Sequence, residues 1–242
     1  MSTGGLINPS DAARKFVVAI DGPAGAGKST IARHLAEHFG LLNLETGAMY
    51  RAFALKAMRA SISLDESAAL VALAAQTSIR LEPGTEGNRV FLDGEDVTAQ
   101  LRDPAVSDGA SRVSVLTPIR AWLVGLQQQL GAAGGVVMEG RDIGTVVFPN
   151  AEVKIFLDAD ASVRGLRRVD QMGWDAKTQA EGVIRDLRAR DERDRNRADS
   201  PLKAADDAVL LDSTHLTLDE VLRAAEKIVV DRAAQVTPGQ SQ

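Results

Sequence analysis

The chain has 242 residues, 45% hydrophobic and 25% charged, which suits one large domain or one domain carrying a smaller insertion and excludes wholesale disorder. Its 28 Lys and Arg residues against 33 Asp and Glu residues give a net charge of −5, which argues against a broad basic face for nucleic acid. There is no cysteine, so disulfides, thiolate zinc sites and cysteine nucleophiles are excluded.

The first residues, 1–15, contain Gly, Ser, Asn, Pro and both charge signs, and we expect them to form a mobile arm. They lack the apolar stretch of a signal peptide. The longest apolar run of the chain, residues 68–75, is shorter than the roughly 18–20 residues of a membrane helix. The sequence therefore predicts no membrane span and a cytoplasmic location.

Five short apolar runs predict buried parallel strands, and they cover residues 16–20, 41–44, 136–138, 153–157 and 209–211. The segments between them are long enough for crossover helices. Helical spacing begins at Ser29 and stops at Gly40, and residues 48–60 also have helical composition. The pattern predicts an α/β fold with a five-stranded parallel sheet covered by helices, which binds ligands beyond the carboxyl ends of its strands.

One stretch interrupts the alternation of strands and helices. Two apolar runs, 79–81 and 89–92, flank Pro, Gly and Asn residues as in a hairpin, and the turn-rich segment 93–96 follows. We interpret residues 74–115 as an inserted subdomain. The tail 233–242, rich in Pro, Gly, Ser and Gln, is expected to be mobile, which leaves 16–232 as the main domain.

The first strand runs directly into a complete phosphate-binding motif, G-x-x-x-x-G-K-[ST], and a helix follows. Backbone N–H groups of such a loop surround phosphate oxygens, the lysine reaches the β- and γ-phosphates, and the hydroxyl after it binds Mg²⁺. An ordinary strand-to-helix turn with a surface lysine is the alternative. We expect ATP to contact Gly22, Pro23, Ala24, Gly25, Ala26, Gly27, Lys28, Ser29 and Thr30, with Lys28 an exposed loop side chain and Ser29 the metal ligand.

The loop alone does not say where the γ-phosphate goes, because GTPases, motor ATPases and small-molecule kinases share it. The chain contains no Asn-Lys-x-Asp string, the usual guanine-reading motif, which disfavours a GTP-dependent switch.

The strongest basic cluster lies between residues 185 and 197, where six arginines accompany four acidic residues. A solvated helix whose Arg and Asp side chains pair with each other would explain it. A clamp that neutralises two phosphate-bearing substrates would explain it as well, since Arg supplies permanent charge and bidentate hydrogen bonds. The phosphate loop favours the clamp, as part of a lid over residues 160–197.

Two polar segments follow predicted strands at the substrate edge of the sheet, and they are 139–145 (EGRDIGT) and 45–51 (ETGAMYR). In the first, Arg141 and Asp142 could merely form a local ion pair that stabilises a turn. In the second, Thr46 could merely cap the following helix.

No Ser-His-Asp set is evident. His34 and His38 are four residues apart on a helix but have no third ligand in sequence, so we expect them to be surface residues. The lack of an obvious general base favours a phosphate acceptor, because a phosphate with a second pKa near 6 is already ionised at neutral pH, whereas an alcohol must be deprotonated.

Five ordered motifs together resemble the bacterial cytidylate kinase family, and they are GPAGAGKST (22–30), ETGAMYR (45–51), EGRDIGTVVFP (139–149), KIFLDA (154–159) and RDERDRNR (190–197). The likeness runs from residue 16 to residue 230. The resemblance implies a P-loop kinase fold with an inserted acceptor-binding domain and an arginine-rich lid. It also implies Mg²⁺-dependent transfer of the γ-phosphoryl group of ATP to CMP or dCMP.

The resemblance also implies roles for individual residues. Acceptor-binding positions are Thr46, Tyr50, Arg51, Arg141, Asp142, Arg190, Asp194 and Arg197, joined by Ser111 and Arg120, which with Asp142 would read the cytosine edge. Lid arginines facing the ATP phosphates are Arg164, Arg167 and Arg168. Catalytic charge is expected on Lys28, Arg141, Arg164, Arg190 and Arg197.

Two other functions stay open from the sequence. One is a related kinase acting on UMP, on both pyrimidines or on another small molecule. The other is a regulatory module that binds ATP without turnover. Small nucleotides are the expected partners, with no nucleic acid and no membrane, and we expect a monomer.

Overall fold

The computed structural model describes residues 16–84 and 87–235. The predicted mobile arm, residues 1–15, lies outside the described residues, as do residues 236–242 of the predicted tail. The predicted start of that tail at Ala233 is wrong. Ala233 is buried within the last helix, because it continues the four-residue spacing of Val221, Ala225 and Val229 on the face that meets the core.

A five-stranded parallel sheet forms the core and confirms the predicted fold class. Its strands are β1 (Val17–Asp21), β2 (Leu42–Glu45), β6 (Val136–Gly140), β7 (Val153–Asp158) and β8 (Val209–Asp212). They lie in the order β2-β6-β1-β7-β8, so β1 is central and is fully buried. A strand buried on both faces requires apolar residues at every position, which explains the continuous run in the sequence.

The two faces of the sheet have different covers. Val18 and Ile20 of β1 pack against α1 (Lys28–Phe39) and α8 (Leu218–Gln235). The alternate residues of β1 face the opposite way, towards a π-helical turn, Ile143–Val147, that follows β6. Burial on both sides fixes the strand and thereby the loop that leaves its carboxyl end.

The carboxyl ends of three neighbouring strands are level. Asp21 at the end of β1 pairs in register with Gly140 of β6, and Glu45 at the end of β2 pairs with Glu139. The segments that follow these strands therefore begin at one edge of the sheet, where parallel sheets bind ligands.

A smaller antiparallel sheet follows in the chain. After α2 (Thr46–Arg59) come α3 (Ser67–Ala74), β3 (Ile79–Glu82), β4 (Arg89–Leu92), β5 (Glu95–Asp96), α4 (Pro104–Val113) and α5 (Thr117–Gly131). The predicted hairpin is confirmed, since β3 pairs with β4 in antiparallel register. Val90 and Leu92 of β4 pack against α2, which joins this sheet to the main fold.

The third strand of the small sheet was not predicted. Asp93 and Gly94 both have positive φ, 50° and 89°, as a two-residue type I′ turn requires, and this turn leads into β5. The segment contains the Asp-Gly signal for a hairpin, but a strand of two polar residues carries no apolar alternation that sequence reasoning could detect.

Two helices complete the fold between β7 and β8, and they are α6 (Ala161–Gln171) and α7 (Ala176–Asn196). They pack against each other as a hairpin. None of the helices described combines the length and apolar character that crossing a bilayer would need.

Candidate active site

The glycine-rich loop joins the end of β1 to the start of α1. Gly22 has φ 150°, and a side chain there would collide with the carbonyl oxygen of Leu157 in the neighbouring strand. Gly27 lies at the N-terminus of α1 in the left-handed conformation, φ 98°, which leaves the first turn of the helix facing the loop. The fold therefore gives these glycines the conformations that a phosphate-binding loop needs.

Lys28 is buried, so its expected exposure is wrong. The side chain is 6% exposed, and its Nζ donates to the carbonyl oxygen of Pro23 at 2.7 Å. Burial, together with the positive charges of Arg141 and Arg190, lowers the pKa of Lys28 below its usual value. A bound anion would reverse this shift, so the protein holds its loop lysine in surroundings that favour phosphate.

A cleft of about 650 Å³ opens at the carboxyl edge of the sheet. Of the predicted loop residues it is lined by Ala24, Gly25, Gly27, Lys28, Ser29 and Thr30. Of the other predicted residues it is lined by Thr46, Tyr50, Arg51, Ser111, Arg120, Arg141, Asp142, Arg168, Arg190, Asp194 and Arg197. The structure thus brings together residues that are up to 173 positions apart. Five predicted residues do not line it, and they are Gly22, Pro23, Ala26, Arg164 and Arg167.

Thr46 and Tyr50 form one wall of the cleft. The Thr46 hydroxyl donates to the carbonyl oxygen of Glu139 at 2.7 Å, and the N-cap of α2 is Glu45. The alternative that Thr46 serves as the helix cap is therefore wrong. Burial raises the pKa of Tyr50 to about 12. Tyr50 therefore lines the cleft as a neutral phenol.

Opposite charges meet behind Tyr50. Arg120 Nη2 lies 2.6 Å from Asp142 Oδ2, and both side chains are almost fully buried. Arg197 Nη2 lies 3.9 Å from the other carboxylate oxygen of Asp142. The Arg120 guanidinium also lies 5.8 Å from the centre of the Tyr50 ring. Such a cluster holds a carboxylate and hydrogen-bond donors in fixed positions, as recognition of a planar polar ring requires.

Arg141 and Asp142 do not pair with each other, so the alternative of a local turn-stabilising ion pair is wrong. Arg141 Nε donates to Asp194 on α7 at 2.8 Å, while Asp142 pairs with Arg120 on α5. Each residue thereby joins the turn after β6 to a different helix.

The arginine run of α7 divides by helix face. Asp191, Asp194 and Arg197 are buried, three residues apart along the helix. Three exposed members of the run fit the solvated-helix interpretation, and they are Arg185, Arg188 and Arg195. Arg193 is exposed as well, but it contacts Ser111 and Asp108 on α4. Arg190 is half-buried, and its buried Nε has no hydrogen-bond partner within the described part of the chain. Burial and the charge of Arg141 lower the pKa of Arg190 to about 10, and the Asp194 carboxylate offsets only part of this shift.

The lid arginines occupy three different surroundings. Arg164 is buried and donates to the carbonyl oxygens of Ala159 and Ala24 and to the Asp191 carboxylate, at 2.8, 2.7 and 2.6 Å. Arg167 donates to Ser213 in the loop after β8. Arg168 lines the cleft. In this structure Arg164 therefore ties the phosphate loop to α7, and Arg168 is the lid arginine that faces the cleft.

Ser111 and Arg51 each have a protein partner at the cleft. The Ser111 hydroxyl accepts from Arg193 at 3.0 Å, and Arg51 pairs with Glu45. Both residues line the cleft.

Sequence reasoning missed three residues at this edge of the sheet. Asp21 accepts hydrogen bonds from the backbone N–H groups of Ile143 and Gly144, at 2.8 and 2.7 Å, and so fixes the π-helical turn. Glu139 Oε1 is buried with no partner among the described residues. Asn88, from the small sheet, lines the cleft. Asp21 and Glu139 could be found from the sequence, because each directly follows a predicted strand. Asn88 has no such signal, and only the tertiary fold brings it to the cleft.

The cytidylate kinase family model matches residues 18–231. The chain is 46% identical over 230 residues to a cytidylate kinase from Syntrophotalea carbinolica, covering 93% of this chain and 96% of that protein. It is 48% identical over 222 residues to a cytidylate kinase from Solibacter usitatus, covering 90% and 94%.

Among solved structures, a gluconokinase from Sinorhizobium meliloti is similar at 15% identity and a TM-score of 0.47, with 92% of this chain and 98% of that chain covered. The family model matches most of the chain, and the two cytidylate kinases are 46% and 48% identical to it across nearly their whole length. These matches confirm the resemblance that the five motifs indicate. The chain belongs to the cytidylate kinase family.

Proposed function

We propose that this protein transfers the γ-phosphoryl group of ATP to CMP or dCMP, giving ADP and CDP or dCDP. One observation carries the proposal: Lys28, Arg141 and Arg190 come together where the phosphate loop meets the acceptor side of the cleft, and each arginine depresses the pKa of Lys28. These cations lie beside the Asp21, Glu139 and Asp194 carboxylates, and a cluster of cations suits a place where two phosphate groups meet.

The donor side consists of the loop and its helix. Backbone N–H groups of residues 22–30 would surround the phosphates of ATP, and the N-terminus of α1 would favour their charge. Lys28 would leave the Pro23 carbonyl and contact the β- and γ-phosphates. From the lid, Arg168 would reach the phosphates directly, with Arg164 and Arg167 holding the lid against the loop and the β8 end.

The chain carries oxygen ligands suited to Mg²⁺ at this point. The Ser29 hydroxyl lies beside Glu139, whose Oε1 is buried and unpartnered, and Mg²⁺ binds hydroxyl and carboxylate oxygens. Burial and the charge of Glu45 raise the pKa of Glu139, so a cation would restore the ionised form. When bound, Mg²⁺ neutralises phosphate charge; Ser29 and Glu139 would hold it.

The acceptor side consists of the opposite wall. Arg51, Arg141, Arg190 and Arg197 would bind the acceptor phosphate, Thr46, Tyr50 and Asp194 would orient the sugar, and Ser111, Arg120 and Asp142 would read the base. Cytosine donates at position 4, where uracil accepts. The Asp142 carboxylate accepts from the cytosine amine and repels the uracil carbonyl, and Arg120 holds it in place.

The reaction needs little proton chemistry from the protein. The acceptor phosphate is ionised at neutral pH and can attack directly, so no general base is required. The protein's task is to align two anions and to neutralise the charge that they share. Lys28, Arg141, Arg190 and Arg197 would do this, with Arg164 keeping the loop and α7 in register. The insertion, 74–115, and the lid, 160–197, would close over the acceptor and donor.

The experiment is a coupled assay of the purified chain with Mg²⁺-ATP and CMP, dCMP, UMP, AMP or GMP, at the same concentrations, with size-exclusion chromatography to test the expected monomer. We expect turnover of CMP and dCMP, and for Lys28→Met a loss of at least about a hundredfold in kcat with an unchanged unfolding temperature, because the methionine keeps the buried stem and removes the charge. Equal or greater use of UMP would identify the pyrimidine alternative. ATP binding without any turnover would identify the regulatory module, and near-normal turnover of the Lys28→Met variant would exclude the loop from the mechanism.

A further inference from the structure

Two imidazoles and a carboxylate meet on the face of the molecule formed by α1 and α8, away from the nucleotide cleft. His34 and His38 lie four residues apart on α1 and so occupy one side of that helix. Glu226 reaches them from α8. Its Oε1 lies 2.5 Å from His34 Nε2 and 3.5 Å from His38 Nδ1, and the three potential ligand atoms all lie within 4.8 Å of one another.

The sequence predicted that these histidines were surface residues because it offered no third ligand. The fold supplies one that is 192 positions beyond His34. A helix-spaced histidine pair with an acidic residue from an adjacent helix has the donor composition of many zinc sites, and sequence spacing alone could not reveal it.

The distances suit a transition metal after a small adjustment. With metal–ligand bonds of about 2.0–2.2 Å, ligand atoms of a tetrahedral site lie roughly 3.3–3.5 Å apart. The separation of His38 and Glu226 already has this value, whereas the hydrogen bond between His34 and Glu226 would open by about 1 Å to admit an ion. The side chains of His34, His38 and Glu226 are 32%, 50% and 26% exposed, so an ion can reach them and retain water as a further ligand.

The donor atoms decide which ions fit. Imidazole nitrogens favour Zn²⁺, Cu²⁺ and Ni²⁺, whereas Mg²⁺ and Ca²⁺ prefer sites made of oxygen. We propose that His34, His38 and Glu226 bind one divalent transition-metal ion of this group, with Zn²⁺ as the representative, and that the ion fastens α1 to α8. A ligand set that joins two helices exists only in the folded chain, so the metal stabilises the fold.

The site is separate from catalysis. α1 begins at Lys28, and His34 and His38 follow six and ten residues later, about 9 and 15 Å along the helix axis. None of the three ligand residues lines the cleft, so the effect of the ion is measured on binding and stability.

The experiment uses the full chain without nucleotide or Mg²⁺. Zn²⁺ is titrated against a chromophoric competitor, and the unfolding temperature is recorded with and without Zn²⁺. The variants are His38→Ala and Glu226→Gln, and the matched control is His215→Ala, which removes the exposed third histidine of the chain. His38→Ala should fold normally, since the His38 side chain is half exposed and, without metal, makes only a 3.5 Å contact with Glu226 and ring contacts with His34 and Phe39.

We expect one strongly bound Zn²⁺ per chain and a rise in unfolding temperature of about 5–10 °C when free Zn²⁺ is about 100 times the dissociation constant. His38→Ala and Glu226→Gln should each weaken binding at least tenfold and remove most of the thermal shift, and His215→Ala should change neither. If Glu226→Gln binds Zn²⁺ as tightly as the unaltered chain, the two histidines act without α8 and the proposal fails. The proposal also fails if both variants retain full affinity for Zn²⁺. It fails as well if Zn²⁺ does not raise the unfolding temperature of the unaltered chain, because His34 and Glu226 then form only an ordinary ion pair.

Discussion

Arg120 and Asp142 form a buried ion pair at the end of the acceptor cleft, with Nη2 and Oδ2 separated by 2.6 Å. The partner of the proposed base-reading carboxylate is therefore an arginine on α5, and not its neighbour Arg141. Arg120 thereby holds in place the carboxylate that would distinguish cytosine from uracil.

The first prediction concerns base choice. Asp142→Asn should lower kcat/KM for CMP and narrow the CMP:UMP ratio by about 1–3 kcal/mol, or roughly 5- to 150-fold, because an amide can donate to the uracil carbonyl that a carboxylate repels. Both kcat/KM values are measured on the same preparation, and an unfolding curve serves as the control. Equal losses with CMP and UMP would assign Asp142 a positioning role and leave the choice of base to other groups.

The second prediction concerns the arginines of α7. Arg190→Ala and Arg197→Ala should each lower kcat/KM about 10- to 150-fold, since each would remove a charged hydrogen bond to phosphate worth about 1.5–3 kcal/mol. Arg185→Ala, on the exposed side of the same helix, is the matched control and should leave kcat/KM unchanged. If all three variants behave alike, the whole run is a solvated face and the clamp is wrong.

The third prediction concerns stability. Arg164→Ala removes the buried partner of Asp191 and the donor to the Ala24 carbonyl, so urea unfolding should show a loss of about 3–5 kcal/mol. The double variant Arg164→Ala with Asp191→Ala should be less unstable than the single variant, because no unpaired buried charge remains. A single variant as stable as the unaltered chain would mean that this ion pair contributes nothing to the fold.

The fourth prediction concerns pH. Burial raises the pKa of Asp21 from 3.8 to about 6, although two backbone N–H groups oppose the shift. Between these values the folded chain binds more protons at Asp21 than the unfolded chain does, so this group's contribution to stability falls as pH rises through the window.

The effect is isolated by comparison with Asp21→Asn, which has no such titration. The difference in unfolding free energy between the two proteins should change by roughly 2 kcal/mol between pH 4 and pH 7, to the disadvantage of the unaltered chain at higher pH. A constant difference across that range would show that Asp21 has an ordinary pKa in the fold.

Sequence patterns predicted those parts of the fold that are determined by residues close together in the sequence. The central strand β1 is a continuous apolar run as far as Ile20 because both of its faces are covered, and the phosphate loop is contiguous in sequence. Strand β5 escaped prediction because two polar residues carry no hydrophobic signal. Arg120 and Asp142 both line the cleft, and whether they pair with each other depends on the packing of α5 against the turn after β6.

The same dependence on tertiary packing explains why the sequence did not predict the burial of Lys28 or the contacts of the lid residue Arg164. Lys28 is buried by segments that are distant from it in the sequence, so the motif alone does not predict its burial. Arg164 resembles a phosphate-facing arginine in sequence, yet packing against α7 turns its guanidinium towards Asp191 and the loop backbone. Partner choice among charged residues is a tertiary property.

Strand β2 lies at the margin of the main sheet, where unpaired backbone groups could recruit a foreign strand. The Asn88 side chain prevents such pairing because it makes the hydrogen bonds that a neighbouring strand would make. Its side-chain N–H donates to the Asn43 carbonyl oxygen at 2.8 Å, and its side-chain oxygen accepts from the Glu45 backbone N–H at 2.9 Å. Any swing of the small sheet away from β2 must release both bonds, at about 1–3 kcal/mol in total. A swing that opens the acceptor cleft in this way also exposes the unpaired edge of β2. The closed arrangement therefore protects that edge from pairing with a strand of another molecule.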